Sequence, residues 1–202
     1  MPYVESAVRS KQAVAAARAV LIRDGVGGLT MRAVATEANI PLGTLQYVFP
    51  TKQGLLRAVF EDIVAEIAEL LRNSAELEAG LARAIRVGLR SFWAELVVNH
   101  RDLQLVQLEL VTHALRTPGL EELPRWQYEQ YTEIVAHWCE TAAAKAGETS
   151  AIPFDRLARV LVAGIDGLIL QHVISSDTER ALADLDVLAD TVIALATVRA
   201  QD

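Results

Sequence analysis

Between Leu42 and Val48 the chain carries side chains that hydrogen-bond without charge: Thr44, Gln46 and Tyr47. A glutamine amide sets a donor beside an acceptor, which matches the major-groove edge of adenine. A threonine hydroxyl pairs with either kind of base edge, and a tyrosine hydroxyl can reach a backbone phosphate. Groups of this kind perform no bond chemistry alone; spaced along one helix they read an edge. Leu42, Thr44, Gln46 and Tyr47 are therefore the candidate groove-facing residues, with Leu45, Val48 and Phe49 turned inward. Thr51 then starts a further helix, whose free amides suit an anion.

Bond-making chemistry finds no support in the sequence. His100, His113, His137 and His172 fall on different elements, and none pairs at the helical spacing of a metal site. The serines lack a nucleophile elbow, and no glycine-rich phosphate loop follows a strand, since no convincing strand is present. Cys139 stands beside Trp138 on an apolar face and reads as packing. No enzyme activity, metal or cofactor is expected.

The elements that must position the reading residues are two short helices. Met31, Val34, Ala35 and Ala38 recur at helical spacing behind Thr30, an N-cap by type. Asn39 enters a left-handed turn more cheaply than most residues, Pro41 suits the start of the next helix, and Pro50 stops it. Two short helices joined by a tight turn form a helix-turn-helix, whose second helix enters the major groove of DNA.

Gly25, Leu29-Thr30, Val34-Ala35, Ala38, Ile40, Gly43-Thr44-Leu45 and Phe49-Pro50-Thr51-Lys52 together resemble the TetR family of one-component bacterial repressors, over roughly residues 9 to 57. Three features differ from the family pattern. Gln46, Tyr47 and Val48 replace an aromatic-His-aromatic run, Asn39 replaces a glycine, and Pro41 replaces a serine cap. The resemblance implies that Arg32 and Lys52 grip the DNA backbone. It further implies an all-α chain, with a three-helix helix-turn-helix DNA-binding domain at 1–52 and a helical ligand-binding and dimerisation domain at 53–202. The implied partners are a double-stranded DNA operator, a small-molecule effector and a second copy of the chain, in the cytoplasm. The other class left open is a helical protein-interaction module whose helix-turn-helix does not read DNA.

Charge agrees with a two-part chain. The total is −7, yet residues 1–58 carry seven Lys or Arg against Glu5, Asp24 and Glu37, a net of +4. A basic end on an acidic body faces one end toward nucleic acid. One cysteine excludes an internal disulfide framework, and no leader pattern follows Met1. The most apolar stretch, Val160 to Ile174, is broken by Asp166 and Gln171-His172 and reads as too short for a bilayer, so no membrane partner is expected.

Residues 1–7 read as a loose arm, followed by helices at about 8–24, 51–73, 76–98, 103–116, 120–145, 154–175 and 179–199. Gly27-Gly28 reads as a loop. Arg83, Arg86 and Arg90 share a face that is either ion-paired or a second DNA contact. Leu157, Leu161, Ile165 and Leu168, with Leu188 and Val192 from the last helix, make an apolar seam, either a dimer interface or a monomer core. In the resemblance this is the dimer region, and Asp166-Gly167-Leu168 is familiar there. The resemblance also places the effector within the body's helices. Glu109 and His113 lie on a polar arc that is either solvated face or pocket wall. Tyr128, Tyr131 and Trp138 share a face that is either core or ligand lining. An aromatic wall with a carboxylate, here expected from Glu109, suits a flat or cationic molecule. His172 reads as a satisfied core histidine.

Overall fold

Alanine, leucine and few aromatics favour helix over strand, and the structure, a computed structural model, is all-α. It describes residues 2–73, 77–98 and 100–200, with side chains from residue 7. The described residues divide into two units: one up to Ala65 together with Leu105–Gln127, the other Glu66–Gln104 together with residues from 128 on.

In the first unit α1 runs from Pro2 to Gly28, α2 from Met31 to Glu37, α3 from Leu42 to Val48, and α4 begins at Lys52 and continues to Asn73. The loose arm is not found over Pro2–Ala7, because proline is well placed in a first helical turn and no breaker follows it. Gly25 interrupts α1 as expected, with φ 67° and ψ −176°. The chain then winds one more turn to Gly28, so Gly27-Gly28 is not a loop, and Val26 and Leu29 are buried. Ala13, Ala17, Val20 and Leu21 of α1 are fully covered, as are Val34, Leu45, Leu55 and Val59.

The second unit holds α5, α8, α9 and most of α7. The start expected at residue 76 lies outside the described residues; α5 spans Leu81–Phe92 and continues as a π-helical turn, Trp93–Val97. Its first amide, on Leu81, donates to the Glu148 carboxylate at 2.7 Å. The next helix, α6, spans Arg101–Leu115, and α7 spans Glu122–Ala146. Gly88 of α5 lets Trp138 of α7 close in; a Cβ there would stand 2.5 Å from the indole. Arg86 and Arg90 pair with Asp190 and Asp186 at 2.5 and 2.6 Å, which resolves the arginine face as ion-paired.

Pro153 starts α8, Phe154–Ser175, and Ser176 ends it in a left-handed conformation (φ 54°). Asp177 caps α9, Thr178–Ala196, by accepting from the Arg180 amide at 3.0 Å. Contrary to the strandless expectation, Glu148–Thr149 pairs antiparallel with Arg199–Ala200. That pairing follows from α9 ending at Ala196, not 199, where Thr197 turns left-handed at φ 43°. The length argument about the membrane is also corrected: α8, at 22 residues, is long and apolar enough to cross one. Packing accounts for one face of it, with Leu157, Ala158, Leu161, Val162, Ile165, Ile169 and Val173 buried in the chain.

Candidate functional site

Thr30 Oγ1 accepts from the Ala33 amide at 3.1 Å and fixes the start of α2. Asn39 takes φ 51°, reversing the chain, while the Ile40 amide reaches back to the Ala35 carbonyl at 3.0 Å. Pro41 stands just before α3 as its cap, so the Thr44 amide bonds to its carbonyl at 2.9 Å. Leu45 is fully buried, Phe49 nearly so and Val48 half-buried, which fixes the rotation of α3. Gln46 and Tyr47 then point out, Tyr47 with 83% of its surface exposed. Leu42 and Thr44 are half-buried.

Beside α3 lies an open concavity of about 640 Å³, lined by Arg32, Ala35, Thr36, Asn39, Ile40, Pro41 and Leu42. Arg32 is exposed and has no ion-pair partner among the described residues, in contrast to Arg23, held by Asp24 and Glu37, and Arg18, held by Asp62. Thr51 caps α4 by accepting from the Gly54 amide at 3.0 Å. Lys52 is half-buried, with Nζ 3.5 Å from the Val26 carbonyl, the long limit of a hydrogen bond. Most of its donor capacity stays available.

The residues expected to line a ligand site are divided between the two units. Glu109 and His113 belong to the first unit: the Glu109 carboxylate stands over Gly25, and His113 Nε2 is 3.3 Å from Thr117 Oγ1. Tyr128, Tyr131 and Trp138 belong to the second. Tyr128 and Tyr131 meet edge to face at 5.7 Å, whereas Trp138 is buried against Gly88 and serves as packing. The carboxylate that joins the tyrosines is Asp166 of α8, hydrogen-bonded to the Tyr128 hydroxyl. Burial lifts Asp166 above the usual carboxylate range, and the Tyr128 hydrogen bond offsets this in part. Burial and the Asp166 charge together push the Tyr128 hydroxyl up as well. No cation pairs with Asp166 among the described residues. Burial also holds the Cys139 thiol up, at about 12, consistent with inert packing.

Two further expectations change. Leu157 and Val192 are fully covered within one chain, and Leu161 and Ile165 nearly so, which makes them core with little surface for a second copy. Leu168 and Leu188 are half-buried, Leu188 seated on Gly164. The face left open is the opposite one: Val160, Ala163, Leu170 and Ile174 on α8, with Val187 and Leu195 on α9. His172 is buried as expected, but its Nδ1 has no partner among the described residues. In the sequence Asp166 is a charge interrupting an apolar run and part of the Asp166-Gly167-Leu168 triplet; that it meets Tyr128 needs the packing of α7 on α8.

A basic helix-turn-helix module with its second helix open to solvent, on a helical body, defines a DNA-binding transcriptional regulator. Residues 13–59 match the model of bacterial regulatory proteins of the tetR family, and residues 84–197 match the tetracycline-repressor-like C-terminal domain. The chain belongs to that family and is a ligand-responsive DNA-binding repressor, not an enzyme. It is 28% identical over 189 residues to the nicotine-responsive transcriptional repressor HdnoR of Paenarthrobacter nicotinovorans, covering 92% of this chain and 94% of that one. It is 26% identical to the regulator BetI of Paraburkholderia phymatum, over 92% and 91% of the two chains. Among solved structures, a TetR-family regulator from Rhodococcus superposes with a TM-score of 0.77 at 18% identity, covering 93% of this chain and 98% of that one. The multidrug binding protein EbrR, complexed with malachite green, gives 0.67 at 24%, with the same coverages.

Proposed function

We propose that the protein works in the cytoplasm as a homodimer on a near-palindromic operator, and leaves it when an organic cation binds in the body. The observation that carries the DNA part is the outward presentation of Gln46 and Tyr47 beside the unpaired Arg32. Gln46 and Thr44 read base edges, with Leu42 as an apolar neighbour. Arg32, Tyr47, Lys52 and the α4 start at Thr51 hold phosphates. The second copy covers the open stripe of α8 and α9, since half-sites one helical turn apart require two readers.

The effector part rests on Tyr128, Tyr131 and the uncompensated carboxylate of Asp166. A desolvated carboxylate next to aromatic faces favours a cation that supplies the missing charge. The names of two similar proteins agree with that chemistry, since nicotine is an amine and malachite green a cationic dye. Release requires only that the cation bind the DNA-free state more tightly.

Fluorescence anisotropy on DNA from upstream of the protein's own gene tests the whole reading. Binding should weaken steeply with salt and be reversed by nicotine or malachite green. Binding that ignores salt and sequence would instead favour a protein-interaction module.

A further inference from the structure

Inside the second unit two ring nitrogens lack hydrogen-bond partners among the described residues: Trp93 Nε1 and His172 Nδ1. Both side chains are buried, Trp93 at 0% and His172 at 6% exposure, and their rings meet edge to face at 5.5 Å, inclined by 60°. A buried polar nitrogen without a partner loses its hydration and gains nothing for it, which is why such groups are rare. Two in contact, supplied by different helices, are not accounted for by packing.

The local backbone carries a second irregularity at the same place. Trp93 opens the π-helical turn, and the Val98 amide bonds five residues back to the Trp93 carbonyl at 3.0 Å. The helix ends just beyond, and the buried Gln104 amide takes up one of its last carbonyls, on Leu96, at 2.5 Å. So this helix end has its Leu96 carbonyl satisfied from α6, while the Trp93 indole N–H is left without a partner among the described residues. Helices of this kind carry π turns most often at functional positions.

We propose that Trp93 and His172 form the hydrogen-bonding anchor of a binding site for a small neutral molecule bearing a carbonyl oxygen. An indole nitrogen only donates. With its proton on Nδ1 the histidine donates too, and one carbonyl oxygen has a lone pair for each. A carboxylate fits less well, because burying a charge costs far more than burying a neutral carbonyl. Amides, lactams and ketones therefore qualify, while hydrocarbons and simple amines do not. The anchor takes a different ligand chemistry from the cation site proposed at Asp166. It does not depend on the regulatory reading above.

The test uses the full chain labelled with nitrogen-15 at tryptophan, which has three indole signals to follow, from Trp93, Trp126 and Trp138. Trp126→Phe and Trp138→Phe assign them by elimination. The probes are N-methyl-2-piperidone, which has a carbonyl and no donor, and N-methylpiperidine, which has neither carbonyl nor neutral charge. The lactam should move the Trp93 indole signal downfield and leave the other two in place, and the amine should not. His172→Phe keeps an aromatic ring without donors and should weaken the lactam at least tenfold, with Asp166→Asn unchanged. A lactam that moves no indole signal, or moves the Trp93 signal equally in His172→Phe, overturns the proposal and leaves a buried water as the occupant. Operator release is read separately. A lactam that moves no Trp93 signal while nicotine frees DNA refutes this site and spares the regulatory reading. Nicotine that fails to free DNA, with the lactam still moving the Trp93 signal, refutes the regulatory reading and spares this site.

Discussion

Lys52→Ala isolates one phosphate contact from everything else the protein does. The side chain is half-buried, and its only bond, at 3.5 Å to the Val26 carbonyl, is long. Removing it should barely touch folding, since partly exposed contacts of this kind contribute well under ~1 kcal/mol. On DNA the effect is larger and of a particular form. Each phosphate neutralised contributes about 0.9 to the slope of log affinity against log salt. A dimer losing one contact per half-site should flatten that slope by about 1.8. Between 50 and 200 mM salt, a fourfold change, the parent should therefore lose about twelvefold more affinity than the variant. The loss of affinity at low salt should be equal on operator and on random DNA, because a phosphate contact carries no sequence information. Anisotropy titrations at four salt concentrations measure both quantities. Lys145→Ala is the matched control; that lysine lies in the second unit near Glu78, at 4.0 Å, and should leave the slope alone. A Lys52→Ala slope equal to the parent's would remove the residue from the interface.

Three further outcomes follow from the packing and charge described above. Gly88→Ala should lower stability by about 1–3 kcal/mol in urea, since its Cβ would stand 2.5 Å from a ring that cannot bend; a normal midpoint would mean Trp138 has room to move. Ile174→Glu with Val187→Glu should give a folded monomer by light scattering, because both positions are open on the single chain, at 75% and 64% exposure; a persistent dimer would place the interface elsewhere. Leu161→Glu should instead fail to fold, as it puts a charge in the core. Asp166→Asn reports on pH: the folded chain holds this proton more tightly than the unfolded one, so ionisation subtracts stability from the ordinary carboxylate range up through the raised folded value. The variant should gain on the parent as pH rises from ~4 to ~7, and a gain that is flat across that range would refute the desolvated carboxylate.

The helix-turn-helix was legible because its signals are local. Thr30, Asn39, Pro50 and Thr51 each act on the backbone within a turn of themselves, and each does in the structure what its type predicts. Apolar spacing likewise fixed which side of α3 faces inward, leaving Gln46 and Tyr47 outside. Gly25 shows where local reading ends. Its left-handed φ was foreseeable, but whether the chain stops there or winds on to Gly28 depends on burying Val26 and Leu29.

In the body, spacing gave the stripes and not their partners. Leu157, Leu161, Ile165 and Val192 form a genuine apolar seam, and periodicity cannot say whether a seam faces the same chain or another. What decides it is the second stripe, on the far side of α8. Val160, Ala163, Gly167, Leu170 and Ile174 are also spaced by three and four, and the small residues among them make that face shallow. A helix apolar on both faces needs two covers. The neighbouring helices of its own chain take the bulkier stripe, because α9 and its Leu188 can approach as closely as Gly164 permits. Once that face is filled, only the shallow one is left for a second copy. The same reasoning bears on the proposed effector carboxylate: Asp166 sits at the border between the filled face of α8 and the open one. There it is desolvated enough for its proton to be held, and close enough to Tyr128 to be hydrogen-bonded.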